Sequence, residues 1–130
     1  MAHRPLSPHV FIYRFAYTMA LSILHRATGV LLSLGIVMLV AFLLAVAGGN
    51  DSYERFTHFA GLLPLRIFIG GCIVAFCYHL ANGVRHLFWD MSWGIERAQA
   101  RRSGAIVVVV TVIASALLLW VFFAARGAGP

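Results

Sequence analysis

His79, Arg85 and His86 are the residues whose types and spacing invite chemistry. His79 lies inside an apolar run, and a histidine at membrane depth is expensive unless something uses it. His86 follows seven positions later, close to two full turns of helix, so the two imidazoles share a face. Imidazole binds metals and arginine binds anions. Together they point to a metal cofactor at His79 whose anionic edge is held near Arg85 and His86.

The surrounding chain has to be a membrane protein. Of its 130 residues, 62% are hydrophobic and only 11% charged, a balance far from that of soluble domains. The formal net charge is +6, carried by arginine without any lysine. No soluble basic domain exists to bind nucleic acid, so the charge reads as membrane orientation, with lipid as the surrounding partner. Cys72 and Cys77 lie five apart in one apolar run, point in different directions on a helix, and read as packed thiols.

Three spans position the candidate site. Residues 1–20 form a polar, proline-bearing arm and an interfacial lead-in. The first span is expected over 21–49, ending at the breakers Gly48, Gly49 and Asn50. A polar link over 51–63 places Tyr53, Phe56, Phe59 and Ala60 at helical spacing, as in an amphipathic turn on the membrane surface. The second span is expected over 64–89, with Pro64 in its first turn, and the third over 103–125. Gly29, Gly35 and the pair Gly71 and Ala75 read as close-packing positions. The expected fold is therefore an all-α membrane protein with three transmembrane helices and no separate domain. Arginines 4, 14 and 26 and arginines 97, 101 and 102 flank the spans on one side. The positive-inside rule then predicts a cytoplasmic N-terminus and a periplasmic C-terminus.

This topology brings two helix ends together. The first span starts at the cytoplasmic face with Ser22, His25 and Arg26, and the second finishes there with Arg85 and His86. His79 lies about 9 Å deeper than Arg85 at 1.5 Å per residue. Haem matches that layout, with iron at its centre and two propionates on one edge. Gly83, one turn from His79, would leave room for a flat macrocycle. No other histidine of the chain lies at the depth of His79, so a second axial ligand is expected from a partner subunit. A lone histidine on a spanning helix could instead hydrogen-bond a neighbouring helix, and Arg26 and Arg85 could be interfacial anchors.

Arg4-Pro5-Leu6-Ser7-Pro8-His9, then Ser22-Ile23-Leu24-His25-Arg26-Ala27-Thr28-Gly29, then His79-x-x-x-Gly83-x-Arg85-His86-x-x-x-Asp90 resemble, in this order, the cytochrome b anchor subunit of succinate dehydrogenase. The resemblance implies a three-helix anchor that pairs with a second small membrane subunit. The two share one b-type haem, each giving an axial histidine. It also implies docking of an iron–sulfur subunit and a flavoprotein subunit, with electrons from succinate passing to ubiquinone. Carried over by motif, His79 is the haem-iron ligand and Ser22 and Arg26 line the quinone site. His25 and Arg26 approach the haem propionates, and Arg85 and His86 support that region. The chemistry on this chain would be binding and electron transfer, with succinate oxidised elsewhere in the complex. A bacterial cytoplasmic membrane is the expected location. Competing readings are a haem-free quinone anchor, an anchor working in fumarate reduction, and a small proton-conducting subunit that uses His79 as a relay.

Overall fold

The computed structural model describes residues 17–127. The arm with Arg4, Arg14 and the Arg4–His9 block lies outside the described residues. Four helices follow in order: α1 (Tyr17–Ala47), α2 (Asn50–Ala60), α3 (Leu63–Asp90) and α4 (Arg97–Gly127). Among the described residues, α1, α3 and α4 are long and apolar enough to cross a membrane. At 1.5 Å per residue each is over 40 Å long, against roughly 30 Å of hydrocarbon. The chain is an all-α, multi-pass membrane protein.

Two boundaries differ from the sequence expectation by four residues or more. α1 begins at Tyr17, inside the expected lead-in, because Tyr17, Thr18 and Met19 carry no breaker and Tyr17 packs against α4. α4 begins at Arg97 rather than near 103, since the arginines of its first turns interrupt the apolar run without interrupting helix propensity. The link after α1 is also more regular than a single turn. Gly49, at φ 87° and ψ −176°, takes a conformation open essentially to glycine alone. The chain then re-enters helix for the 11 residues of α2. Tyr53 and Phe56 of α2 pack on Phe42 of α1, with ring centroids 6.4 and 5.6 Å apart, and Ala60 is buried. Phe59, expected on the same face, stays exposed.

α1 begins, α3 ends and α4 begins at one end of the bundle. A core of Leu21, Tyr78 and Val107, one from each spanning helix, joins them there. The Tyr78 hydroxyl donates to the carbonyl oxygen of Leu21 at 2.6 Å, within this buried cluster. Gly104 lets α4 approach α1: a Cβ at this position would stand 2.8 Å from Leu21 Cδ1 and 2.9 Å from Tyr17 Cε1. Gly35 does the same between α1 and α3, where an added Cβ would meet Cys72 Sγ at 3.1 Å. Both cysteines are free thiols. Within the apolar part of α4, Thr111 and Ser115 are buried beside Val107, while Ile106, Val112 and Ile113 face outward.

Candidate functional site

Antiparallel packing sets residues 21–29 of α1 against residues 78–86 of α3. His25 stacks on His79, with centroids 3.9 Å apart and planes 11° from parallel, and lies 5.2 Å from the His86 ring. Three of the sequence-predicted residues therefore form one cluster, and His25, expected shallower than His79, stands at its depth instead. Stacked rings do not aim their nitrogens at a common point, and no group of three or more metal-ligating side chains is found among the described residues. The cluster is not a three-histidine metal site.

His79 has a defined hydrogen-bond state. Its Nδ1 is 3.1 Å from the His25 carbonyl oxygen, which can only accept, so Nδ1 carries the proton. Thr28 Oγ1 stands 3.2 Å from the same nitrogen. The Thr28 hydroxyl hydrogen faces the carbonyls of Leu24 and His25, both at 2.9 Å, leaving its oxygen to accept as well. Nε2 of His79 is left with its lone pair and no hydrogen-bond partner among the described residues. A metal-binding histidine held through its other nitrogen by a carbonyl has this arrangement.

His79 lines a groove of about 670 Å³ along α1 and α3, whose walls include Gly29, Leu32, Ile36, Ile73, Phe76 and Leu80. The glycine that admits His79 to α1 is Gly29, where a Cβ would lie 3.2 Å from the ring's Cε1. Gly83, expected to make room for a macrocycle, faces His25 instead, at an ordinary 3.8 Å for an added Cβ. His25 Nδ1 is buried without a hydrogen-bond partner. The residues present fit a flat, largely apolar group bound through one nitrogen: an open imidazole nitrogen, apolar walls and polar atoms toward one end.

Arg85 takes a different direction. It is 4% exposed, and each donor group is engaged: Nε donates to Ser103 Oγ (3.0 Å), Nη1 to Asn82 Oδ1 (3.2 Å) and Nη2 to the Ala100 carbonyl (3.0 Å). Its guanidinium lies 4.0 Å from the centre of the Trp89 ring. The sequence places Arg85 beside the histidines, but the structure turns it into the α3–α4 seam. Asn82, fully buried, bridges the two, with Nδ2 3.3 Å from His86 Nε2. The guanidinium keeps its charge in this setting, and no described carboxylate pairs with it. The bundle end is thus cationic around the three imidazoles.

Ser22 is half-buried and Arg26 exposed, one turn apart on the same face of α1, and Asp90 is exposed at the end of α3. None of the three side chains is engaged by another described residue. Asn82, Thr28 and Tyr78 are the site residues that sequence reasoning missed. Asn82 stands three before Arg85 and four before His86, and Thr28 three after His25. Helical spacing alone could have placed both on the site's faces.

An integral-membrane bundle with a histidine cluster and a buried arginine at one end is the class of protein that this fold and site define. Residues 1–118 match the family described as succinate dehydrogenase/fumarate reductase transmembrane subunit. A succinate dehydrogenase cytochrome b556 subunit of Rickettsia prowazekii (strain Madrid E) is 39% identical over 122 residues, covering 91% of each chain. The mitochondrial succinate dehydrogenase cytochrome b560 subunits of Sus scrofa and Homo sapiens are 38% and 39% identical over 116 residues, covering 88% of this chain and 69% of theirs. The chain belongs to the succinate dehydrogenase/fumarate reductase transmembrane subunit family and is a cytochrome b-type membrane anchor within it.

Proposed function

We propose that this chain holds a b-type haem through His79, together with a second small membrane subunit that supplies the other axial ligand, and that Ser22 and Arg26 help to form a ubiquinone-reduction site. The observation that carries the reading is the His79 hydrogen bond: Nδ1 is committed to the His25 carbonyl at 3.1 Å, and Nε2 is open. The relatives' names, cytochrome b556 and b560 subunits of succinate dehydrogenase, support it. The iron–sulfur and flavoprotein subunits of the enzyme would dock on the end where α1 begins and α3 ends. By the positive-inside rule, that end is cytoplasmic in a bacterial inner membrane.

When bound, haem supplies a one-electron carrier at membrane depth. The chain's residues do the rest. His25 fixes the His79 ring by stacking and by its carbonyl oxygen. His25 and His86, together with Arg26 next to His25 in the chain, would hold the propionate edge, with Arg85 adding positive charge through Asn82. Ser22 and Arg26 can both donate hydrogen bonds to a quinone carbonyl. The Arg26 bond strengthens as negative charge builds on that oxygen, because it is charge-assisted. Arginine keeps its proton, so protons for the quinol must come from water or another residue.

A reduced-minus-oxidised spectrum of the purified complex tests the reading. Wild type should show a b-type band. His79→Leu should lose or shift it while retaining succinate oxidation with a soluble acceptor. An unaltered band in the His79 variant, or no band in wild type with quinone reduction intact, would overturn the haem assignment.

A further inference from the structure

Among the described residues, Asn82 is the only side chain placed between Arg85 and His86 by hydrogen bonds on both sides. It has no exposed surface, so each half of its amide is answered by protein. Arg85 Nη1 lies 3.2 Å from Oδ1, and a guanidinium can only donate. The oxygen of the amide must therefore face Arg85, and the NH2 group must face His86. Turning the amide over would set donor against donor at a permanent cation. The guanidinium is itself held from the α4 side by Ser103 and the Ala100 carbonyl, so it cannot swing to suit the amide.

The consequence passes to His86. With Nδ2 donating at 3.3 Å, His86 Nε2 must accept and so carries no proton. A neutral His86 then has its proton on Nδ1, which has no partner among the described residues. His86 lies beside His25 in the cluster, with centroids 5.2 Å apart, and its outer edge is braced by Trp89, edge-on at 5.2 Å.

We propose that Asn82 is a positioning residue that translates the fixed charge of Arg85 into a single tautomer of His86, so that this imidazole offers an N–H donor from Nδ1 to the ligand in the site. The acceptor it serves is an oxygen of the bound group, a carboxylate or a carbonyl. That part rests on the function proposed above, whereas the tautomer itself does not. The seam between α3 and α4 is thereby linked to the site: Ser103 and Ala100 orient Arg85, Arg85 orients Asn82, and Asn82 selects the proton position on His86.

Nitrogen-15 NMR of the intact complex, labelled at histidine and with the His86 signal identified by its loss in His86→Gln, reads the tautomer directly. The expected wild-type signal has a one-bond N–H coupling at Nδ1 and none at Nε2. Asn82→Asp keeps an oxygen for Arg85 but turns an acceptor toward His86, so the coupling should appear at Nε2. Arg85→Met frees the amide to turn over and should yield a mixture of both forms. A wild-type His86 protonated on Nε2 overturns the proposal without recourse to any variant. An unchanged tautomer in folded Asn82→Asp overturns it too. The b-type band, recorded on the same samples, reports separately on the haem assignment: its absence with the expected tautomers would count against that assignment alone.

Discussion

Gly29→Ala perturbs the proposed iron ligand without touching it chemically. An ideal Cβ at position 29 would stand 3.2 Å from His79 Cε1 and 3.7 Å from Nδ1. Ordinary carbon–carbon contact begins a little further out, so the ring must retreat from α1 by roughly 0.2–0.4 Å. The Nδ1–H bond to the His25 carbonyl, now 3.1 Å, then lengthens to about 3.4 Å, where such bonds are weak. Two stability effects oppose each other. Alanine is about 1 kcal/mol better than glycine in a helix, and overpacking costs about 1–3 kcal/mol. The net loss is at most about 2 kcal/mol, small enough for the bundle to persist. The ligand effect is more specific. Losing half of a bond of about 1 kcal/mol changes the ligand's interaction by about 0.5 kcal/mol, equivalent to about 20 mV for a one-electron couple. A hydrogen bond from Nδ1 raises the basicity of the iron-bound nitrogen and favours the more highly charged iron. Weakening it should raise the haem midpoint potential. Potentiometric titration of the b-type band in the solubilised complex measures this. An intact band with an unchanged or lowered potential would refute the reasoning.

Four further outcomes are expected. Tyr78→Phe removes the 2.6 Å bond to the Leu21 carbonyl and should lower stability by about 0.6 kcal/mol, and by no more than about 1.7, measured as a shift in the thermal or denaturant midpoint of the complex. Gly104→Val drives a side chain into Leu21 and Tyr17 and should destabilise by about 3 kcal/mol. Gly70→Ala, whose Cβ meets only Leu119 Cδ2 at 3.7 Å, should be neutral or slightly stabilising in the same assay. Ser22→Ala and Arg26→Leu should raise the quinone KM or slow quinone turnover while the b-type band persists. If they match His79→Leu in both readouts, the division between quinone and haem roles fails.

The spans and their antiparallel arrangement were legible because charge-free apolar runs and glycine breakers are one-dimensional signals. The start of α4 was not. Arginines 97, 101 and 102 look like a link when only hydropathy is read, yet arginine is a good helix former, and the helix begins at Arg97. The site shows the same limit. Its histidines were visible from their spacing of seven and from the meeting of two helix ends. The direction of Arg85 was not, because one step of 100° around α3 separates it from His86 and its partners lie on α4, 15 and 18 positions away. Asn82 is inconspicuous for a chemical reason: an amide has no charge and no metal preference, so nothing in its type marks it. Its importance comes from being fully enclosed between a cation and an imidazole.

The open nitrogen of His79 and the uncovered surface of α1 share one physical requirement. In the most apolar stretch of α1 no residue is buried within the chain, against 22% of the corresponding stretch of α3. Lipid can cover that surface, but lipid has nothing to offer an imidazole lone pair. The groove that His79 lines runs between α1 and α3 and includes Gly29, Leu32 and Ile36 from α1. On the proposed function, the haem would occupy this groove, and because His25 is already stacked on the His79 ring, the second nitrogen ligand would come from the partner subunit. The partner helix that brings the ligand would then lie against α1, whose apolar stretch is the least covered of the three. Its apolar burial and its iron ligation would stabilise the same interface, so removing the haem should weaken subunit association as well as electron transfer.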